Sequence, residues 1–225
     1  MTSRYDEIAS NLNGVLERIK STAQSCGRNQ DEITLIAVTK TFPVSDVHIL
    51  ASLDVHHYGE NRDGDAAPKA SAVPGTWHFQ GQIQSNKLKS IASWAHVIHS
   101  LDEERHITAL DKVAIHRIGV FLQVSIDGAQ GRGGAAPTDL SALADSVLQS
   151  ANLDLMGLMA VAPLDQSSDQ AFEKLATIHS SFKASYPMAT SLSAGMSNDF
   201  ESGISHGATH IRIGSSILGS RPAPQ

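Results

Sequence analysis

Positive charge and cysteine are both scarce in this sequence. Lys and Arg number 17 against 23 Asp and Glu, which gives a net charge of -6 at pH 7. Without a basic excess, a nucleic acid or an anionic membrane has no electrostatic support as a partner, and a small molecule is the better candidate. The single cysteine, Cys26, allows no intrachain disulfide and no cysteine-based zinc site, as expected in a reducing compartment.

Long apolar segments are missing as well. No stretch approaches the roughly 18 apolar residues that a membrane span needs. Residues 1–20 alternate apolar with charged side chains, so they lack the uninterrupted apolar core of a signal peptide. We therefore expect a soluble, cytoplasmic protein.

Several catalytic and metal-binding signatures are also absent. The sequence has no G-x-S-x-G motif of an α/β-hydrolase, and the glycines of residues 127–134 (DGAQGRGG) are not in dinucleotide-binding order. Five histidines fall on or near predicted strands: His56, His57, His78, His96 and His99. Adjacent histidines on a strand point to opposite sides, and nothing supplies a zinc signature with its third ligand. We expect no metal site.

What the sequence does contain is a regular alternation of short apolar or β-branched runs with longer helical stretches. The predicted strands are 33–39, 55–58, 76–79, 96–99, 118–124, 153–159, 190–192 and 209–213. The predicted helices are 44–53, 84–94, 103–115, 137–150, 168–184 and a short last one from Ser215. An amphipathic helix that closes near CGRN is predicted before them from Ile8, Leu12, Val15, Leu16 and Ile19.

This alternation predicts parallel strands joined by crossover helices. Eight such units favour a single (β/α)8 TIM barrel domain over residues 1–225, with one extra N-terminal helix. A doubly wound open sheet would give similar local patterns, and only the strand count favours the barrel. In a barrel, active sites form from the loops at the carboxyl ends of the strands, where polar and glycine-rich segments recur in this sequence.

Lys40 follows directly on the first predicted strand, ITLIAVT. A lysine just beyond a strand is usually an ordinary surface residue. At the carboxyl mouth of a barrel strand, however, partial desolvation favours the neutral amine, which is a nucleophile able to form a Schiff base with a carbonyl. Lys40 is therefore a candidate for carbonyl capture.

The segment HIRIGSSILG, residues 210–219, has the outline of a phosphate cradle. Gly214 would let the backbone approach a ligand, and Ser215 opens a short helix whose N–H groups would face an anion. The alternative is an ordinary Gly-Ser turn with serine as the helix cap. The neighbouring loop in SLSAGMSND supplies Ser193 and Ser197, and two adjacent loops directed at one anion favour the cradle.

Two further side chains remain ambiguous at this level. Arg212 would point inward from the last strand and needs a partner, either a ring-nitrogen acceptor of a ligand or a carboxylate in a structural salt bridge. Asn61, after the second strand, could contact the ligand or could cap the next helix.

A carbonyl-capturing lysine and a phosphate cradle suit a ligand that is both an aldehyde and a phosphate ester, such as pyridoxal 5′-phosphate. The ordered segments AVTKTFP, YGEN, WHFQGQIQSNK, GLMAVAP, LSAGMSND and IRIGSSILG, between Ile33 and Gly219, resemble the pyridoxal phosphate homeostasis protein family. These proteins are similar to the alanine racemase N-terminal domain. The resemblance implies one (β/α)8 barrel, a monomer, and a role in vitamin B6 homeostasis.

The resemblance also implies roles for individual residues. It places the cofactor on Lys40 as an internal aldimine, the phosphate at Ser193, Gly214 and Ser215, the pyridine nitrogen at Arg212, and Asn61 near the ring. The sequence departs from the family at Ser215, where threonine is usual, and in the segments RDGD (62–65) and DGAQGRGG, where Arg132 takes the place of the usual lysine. The serine keeps the hydroxyl, whereas the two loops differ from the family in their charged residues.

We expect a carrier of pyridoxal phosphate with no dedicated turnover, and apo enzymes that use the cofactor are its expected acceptors. An arginine at the pyridine nitrogen weakens the cofactor as an electron sink, and only SRPAPQ follows the last motif, so the second domain of the related racemases is not expected. Two alternatives stay open. One is a pyridoxal-phosphate-dependent racemase or decarboxylase, and the other is a cofactor-free aldolase acting on a sugar phosphate.

Overall fold

Eight parallel strands close into a barrel in chain order. The computed structural model describes residues 2–129, 133–163 and 165–220. The strands are β1 (Thr34–Val38), β2 (His57–Glu60), β3 (Thr76–Phe79), β4 (Val97–Leu101), β5 (Ile118–Gln123), β6 (Leu153–Met159), β7 (Ser191–Met196) and β8 (His210–Ile213). Because β1 pairs with both β2 and β8, the sheet is not open, and the predicted barrel is confirmed.

Helices surround the strands and cover the outer face of the barrel. They are α1 (Arg4–Ser25), α2 (Val44–Ser52), α3 (Asp63–Ala72), α4 (Leu88–Trp94), α5 (Glu104–Val113), α6 (Leu140–Leu148), α7 (Ser168–Ser185), α8 (Phe200–Ser205) and α9 (Ser215–Leu218). Short 3-10 turns occur at Gln30–Glu32, Ser85–Lys87 and Pro137–Asp139. A search of the described residues found no helix with the length and apolar character that crossing a membrane requires.

The predicted N-terminal helix is α1, and its sequence explains both ends. Ser3 caps it and forms a reciprocal capping box with Asp6, while Cys26 is the C-cap residue. The buried face consists of Ile8, Leu12, Val15, Ile19 and Ala23. Leu16 was expected on that face but is 44% exposed, because its position lies at the edge of the buried stripe.

The sequence did not predict α3 and α8. The α3 segment, DGDAAPKASA, contains Gly64 and Pro68, which both disfavour a helix interior, and only Ala66 and Lys69 are buried. Helical periodicity is therefore weak, and packing against the barrel determines the conformation instead. The six residues of α8 are too few to show a period.

The main boundary error concerns β7, which was predicted to end at residue 192 and continues to Met196. The register between β7 and β8 shifts between Ser193 and Met196. Gly195 lies in this irregularity with φ of +92°, a conformation that suits glycine. The strand therefore carries small and polar side chains between Leu192 and Met196, and Ser193 belongs to the strand instead of the loop after it.

Candidate functional site

A cavity of about 330 Å³ lies at the carboxyl ends of β1, β7 and β8. Its lining includes Lys40, Gln80, Ser197, Arg212, Gly214 and Ser215. The structure thus brings together the lysine, the arginine and the glycine-serine segment that the sequence analysis selected from separate strands. The volume is within the range of small-molecule sites.

Lys40 lies in a tight turn just after β1. The N–H group of Phe42 donates to the carbonyl oxygen of Thr39 at 3.1 Å and closes this turn. Thr41 has φ of +71°, which a β-branched residue rarely adopts. Such a conformation persists where surrounding contacts impose it. The ammonium group of Lys69, which donates to the same Thr39 oxygen at 2.8 Å, is one of these contacts.

A buried ion pair supports this turn from below. Lys69 Nζ is 2.6 Å from Glu60 Oε1, and the Glu60 side chain is 0% exposed. The Thr39 hydroxyl donates to the same carboxylate oxygen at 2.7 Å. Glu60 Oε2 has no hydrogen-bond partner among the described residues. The carboxylate of the GEN segment therefore acts through the turn that carries Lys40.

Arg212 points into the barrel from β8 and is 5% exposed. Its Nη1 donates to Ser193 Oγ at 2.6 Å, and its Nη2 donates to the carbonyl oxygen of Ala160 at 3.0 Å. It makes no ion pair with a carboxylate in the part of the chain that the structure describes. Burial lowers the pKa of Arg212 to about 10, and the nearby Asp199 acts against this effect, so the guanidinium stays charged at neutral pH.

Ser193 does not lie where the sequence analysis expected it, in the loop beside the phosphate. It is 0% exposed and lies within the barrel, where it contacts Arg212 and His99. The reason is the extension of β7, which turns this side chain inward. Ser193 therefore supports the arginine that borders the cavity.

The two segments predicted to form a phosphate cradle meet where the loop after β7 reaches the start of α9. Ser197 Oγ accepts from the N–H groups of Gly214 and Ser216 at 3.3 and 3.4 Å. A Cβ atom on Gly214 would lie 3.2 Å from the carbonyl oxygen of Val38, so glycine allows the close backbone approach here. Two N–H donors converge on one oxygen, and Ser215 lies beside them in the cavity wall.

Asn61 lies outside this cavity. It lines a separate cavity of about 220 Å³ together with Arg62 and Lys87. It does not cap the following helix either, because Arg62 is the N-cap residue of α3 and no side chain provides a cap bond. Arg132, the other residue singled out near the site, lies outside the described residues.

Sequence reasoning missed three polar side chains of the cavity, those of Gln80, Asn198 and Asp199. Gln80 Nε2 is buried and has no partner within residues 2–129, 133–163 and 165–220. An unsatisfied donor in a cavity wall is what a polar ligand can satisfy. Asp199 accepts from the N–H group of Met196 at 2.6 Å and so holds the loop after β7. The sequence signal that could have identified these residues is the run of polar side chains that follows each predicted strand.

One group of side chains among the described residues has atoms close enough together to be considered as metal ligands. Atoms of Asp102, Glu103 and His106 lie within 4.8 Å of one another. Both carboxylates already accept hydrogen bonds, Asp102 from the N–H group of Gly134 and Glu103 from the guanidinium of Arg105. The cluster therefore lies apart from the cavity and is engaged by other groups.

His210 leads to a prediction about stability and pH. Its ring meets Phe121 edge-on at 5.1 Å, and burial, followed by the charges of His57 and Arg212, lowers its pKa to about 4. The unfolded chain, with a pKa near 6.5 for histidine, binds more protons between these values, so stability falls as the pH drops from 6.5 towards 4. This residue alone contributes a loss of about 2 kcal/mol between pH 7 and pH 5.

Urea unfolding of wild type and His210→Gln at pH 7 and pH 5 measures this contribution. The variant is expected to lose less stability on acidification, because glutamine does not titrate and every other histidine is common to both proteins. Equal losses in the two proteins would contradict the prediction.

The family comparison agrees with the barrel. Residues 11–222 match the model for the alanine racemase N-terminal domain. The class of protein is therefore a (β/α)8 barrel of the alanine racemase N-terminal type.

Three similar proteins narrow this class. The pyridoxal phosphate homeostasis protein of Mycobacterium tuberculosis is 40% identical, over 97% of this chain and 94% of its own length. The protein of that name from Escherichia coli is 33% identical, over 96% and 97%. The structure of PipY from Synechococcus elongatus with pyridoxal phosphate bound is 28% identical, with a TM-score of 0.80 over 94% of this chain and 100% of that one. This chain belongs to the pyridoxal phosphate homeostasis protein family.

Proposed function

We propose that this protein binds pyridoxal 5′-phosphate in the cavity at the ends of β1, β7 and β8, and holds it for intracellular homeostasis. The observation that carries the proposal is the meeting of Lys40, Arg212 and the Gly214 segment around one cavity of suitable size. The names of the relatives and the bound ligand of PipY support the same choice. When bound, the cofactor supplies an aldehyde and a phosphate ester.

Each part of the cavity has a distinct proposed role. Lys40 captures the aldehyde carbon with its amine. Ser197, Gly214 and Ser215 would hold the phosphate, since backbone N–H groups and serine hydroxyls come together at this end of the cavity. Arg212 donates to the pyridine nitrogen.

The role of Arg212 favours holding over turnover. A guanidinium has no acceptor, and with a pKa of about 10 it does not give its proton to a pyridine nitrogen. The nitrogen would therefore stay unprotonated, and the bound ring would be a weaker electron sink than racemisation or decarboxylation needs. A single barrel domain, a monomeric state, a cytoplasmic site of action and delivery to apo enzymes are parts of the same proposal.

Titration with pyridoxal phosphate tests the proposal. The protein is expected to gain the visible absorbance of a lysine-bound pyridoxal phosphate, and borohydride is expected to bleach it and to fix the label on the peptide that contains Lys40. Incubation with L- and D-alanine then follows chirality and carbon dioxide release, with neither expected above the rate of free cofactor. A colourless protein that takes up no cofactor contradicts the binding role, and repeated turnover above the rate of free cofactor contradicts the carrier role.

A further inference from the structure

A line of hydrogen-bonded side chains crosses the barrel interior below the cavity. Its three histidines, His57, His78 and His99, are spaced 21 residues apart, so that successive strand–helix units each contribute one. His57 Nδ1 and His78 Nε2 are 2.9 Å apart, and His78 Nδ1 and His99 Nε2 are also 2.9 Å apart. His99 Nδ1 lies 2.9 Å from Ser193 Oγ, which contacts Arg212.

The rings in this line are held in place by their surroundings. His78 is 1% exposed and His99 is 0% exposed, and the ring of Phe121 stacks on His99 at 4.5 Å. Burial lowers the pKa of both histidines well below 6.5, and neighbouring histidines add to this effect. A neutral imidazole has one donor and one acceptor, which is what each ring in a continuous line must provide.

The direction of every hydrogen bond follows from the arginine. A guanidinium only donates, so Ser193 Oγ accepts from Arg212 Nη1. The one hydroxyl proton of Ser193 then goes to His99 Nδ1, which makes His99 the Nε2–H tautomer. That N–H donates to His78 Nδ1, so His78 carries its proton on Nε2. His78 Nε2–H in turn donates to His57 Nδ1, so His57 also carries its proton on Nε2.

The opposite direction fails at Ser193. If His99 Nδ1 carried the proton, Ser193 Oγ would accept from both His99 and Arg212, and its own proton would have no acceptor among the described contacts. A buried donor without a partner costs about 1–3 kcal/mol. The hydrogen bonds therefore have one favoured direction. Ser193 and each histidine accept on the side that faces Arg212 and donate on the side that faces away from it.

We propose that His57, His78, His99 and Ser193 form a directional hydrogen-bond line whose function is to position Arg212 at the cavity. The line fixes Nη1, while the carbonyl oxygen of Ala160 fixes Nη2, so the plane of the guanidinium is set before any ligand arrives. These are positioning residues, because they act through Arg212. The identity of the ligand that Arg212 contacts rests on the proposed function. The predicted tautomers of the histidines are independent of it.

Nitrogen-15 NMR of histidine-labelled wild-type protein without cofactor tests the direction. Long-range correlations distinguish the protonated from the bare ring nitrogen, and His78 and His99 are both expected to be Nε2–H at neutral pH. A proton on Nδ1 of His99, or averaging between the two nitrogens, overturns the proposal. This measurement needs no substitution and no bound ligand, so it stands whether or not pyridoxal phosphate binds.

Ser193→Ala tests the positioning, with Ser191→Ala as the matched control. Ser191 lies two residues earlier on β7, and its hydroxyl has no hydrogen bond within the described ranges. Ser193→Ala is expected to release Arg212, so that its separate guanidinium NMR signals average, while Ser191→Ala leaves them unchanged. Unchanged Arg212 signals in a folded Ser193→Ala protein contradict the proposal. If the Ser193→Ala protein does not fold, the histidine tautomers of the wild-type protein still test the direction of the hydrogen bonds.

The affinity for pyridoxal phosphate provides a second readout. Loss of a buried bond to a charged group predicts binding about tenfold weaker in Ser193→Ala than in Ser191→Ala. If neither protein binds the cofactor, the proposed function fails, but the tautomers and the Arg212 signals still test the positioning role. If both bind equally well, the positioning role fails and the proposed function stands.

Discussion

Replacing Lys40 with alanine is expected to abolish the visible absorbance of bound pyridoxal phosphate and to leave no borohydride-fixed label on the protein. The reason is that Lys40 is the amine brought to the cavity by the turn after β1, the strand that neighbours β8 and the Gly214 segment. Arg212 and the N–H groups near Ser197 are still present in the variant, so weak binding through the ring and phosphate remains. We expect the affinity to fall on the order of a hundredfold.

Two controls separate covalent capture from other effects of the substitution. Lys20→Ala removes an exposed lysine on α1 and is expected to bind like wild type. Pyridoxine phosphate has the ring and phosphate of the cofactor but no aldehyde, so its affinity is expected to be similar in wild type and Lys40→Ala. A label that moves to another lysine, or an equal loss of affinity for pyridoxine phosphate, would show that Lys40 does not capture the carbonyl.

The barrel could be predicted because each strand leaves a local signal. Runs of apolar and β-branched residues marked all eight strands, and their number distinguished a closed barrel from an open sheet. Boundaries were less accessible where a strand continues with small or polar residues. β7 is the clearest case, since the residues after Leu192 face partners on other strands that the sequence does not reveal.

The site was predictable where it depends on the ends of strands. Lys40, Arg212 and the Gly214–Ser215 pair follow from the rule that carboxyl ends of barrel strands share one face, and the structure places all of them around the cavity. Ser193 was placed differently because the end of its strand was misjudged. Asn61 lines a different cavity from the one expected. The cavity that a given loop faces depends on tertiary packing, which the spacing of residues in the sequence does not define.

The supporting contacts were the least predictable part of the molecule. The histidine line and the pair of Lys69 with Glu60 join residues on different elements, and each member alone resembles a surface residue in the sequence. The regular spacing of the three histidines was a usable signal, but it indicates position on successive strands and not a hydrogen bond. Lys69 lies beside Pro68 in a segment with weak helical character, which hid its burial.

Lys69→Met is expected to lower the free energy of unfolding by about 3–5 kcal/mol, because it leaves the carboxylate of Glu60 buried without its cation. Glu60 is 0% exposed, and its second oxygen already has no partner among the described residues. Methionine keeps most of the volume of the lysine stem, so the loss reports the charge more than the packing. The turn that holds Lys40 also loses the donor to Thr39, so weaker cofactor binding is expected to accompany the lower stability.

Urea unfolding at neutral pH measures the effect, and two comparisons identify its cause. Adding Glu60→Gln to Lys69→Met removes the buried charge and is expected to restore most of the stability, since a buried pair is costly to break but cheap to neutralise on both sides. Arg105→Ala breaks the exposed pair with Glu103 and is expected to leave the free energy of unfolding almost unchanged, because solvent screens an exposed pair. A Lys69→Met protein no less stable than Arg105→Ala would mean that the pair of Lys69 with Glu60 does not hold the turn of Lys40 in place.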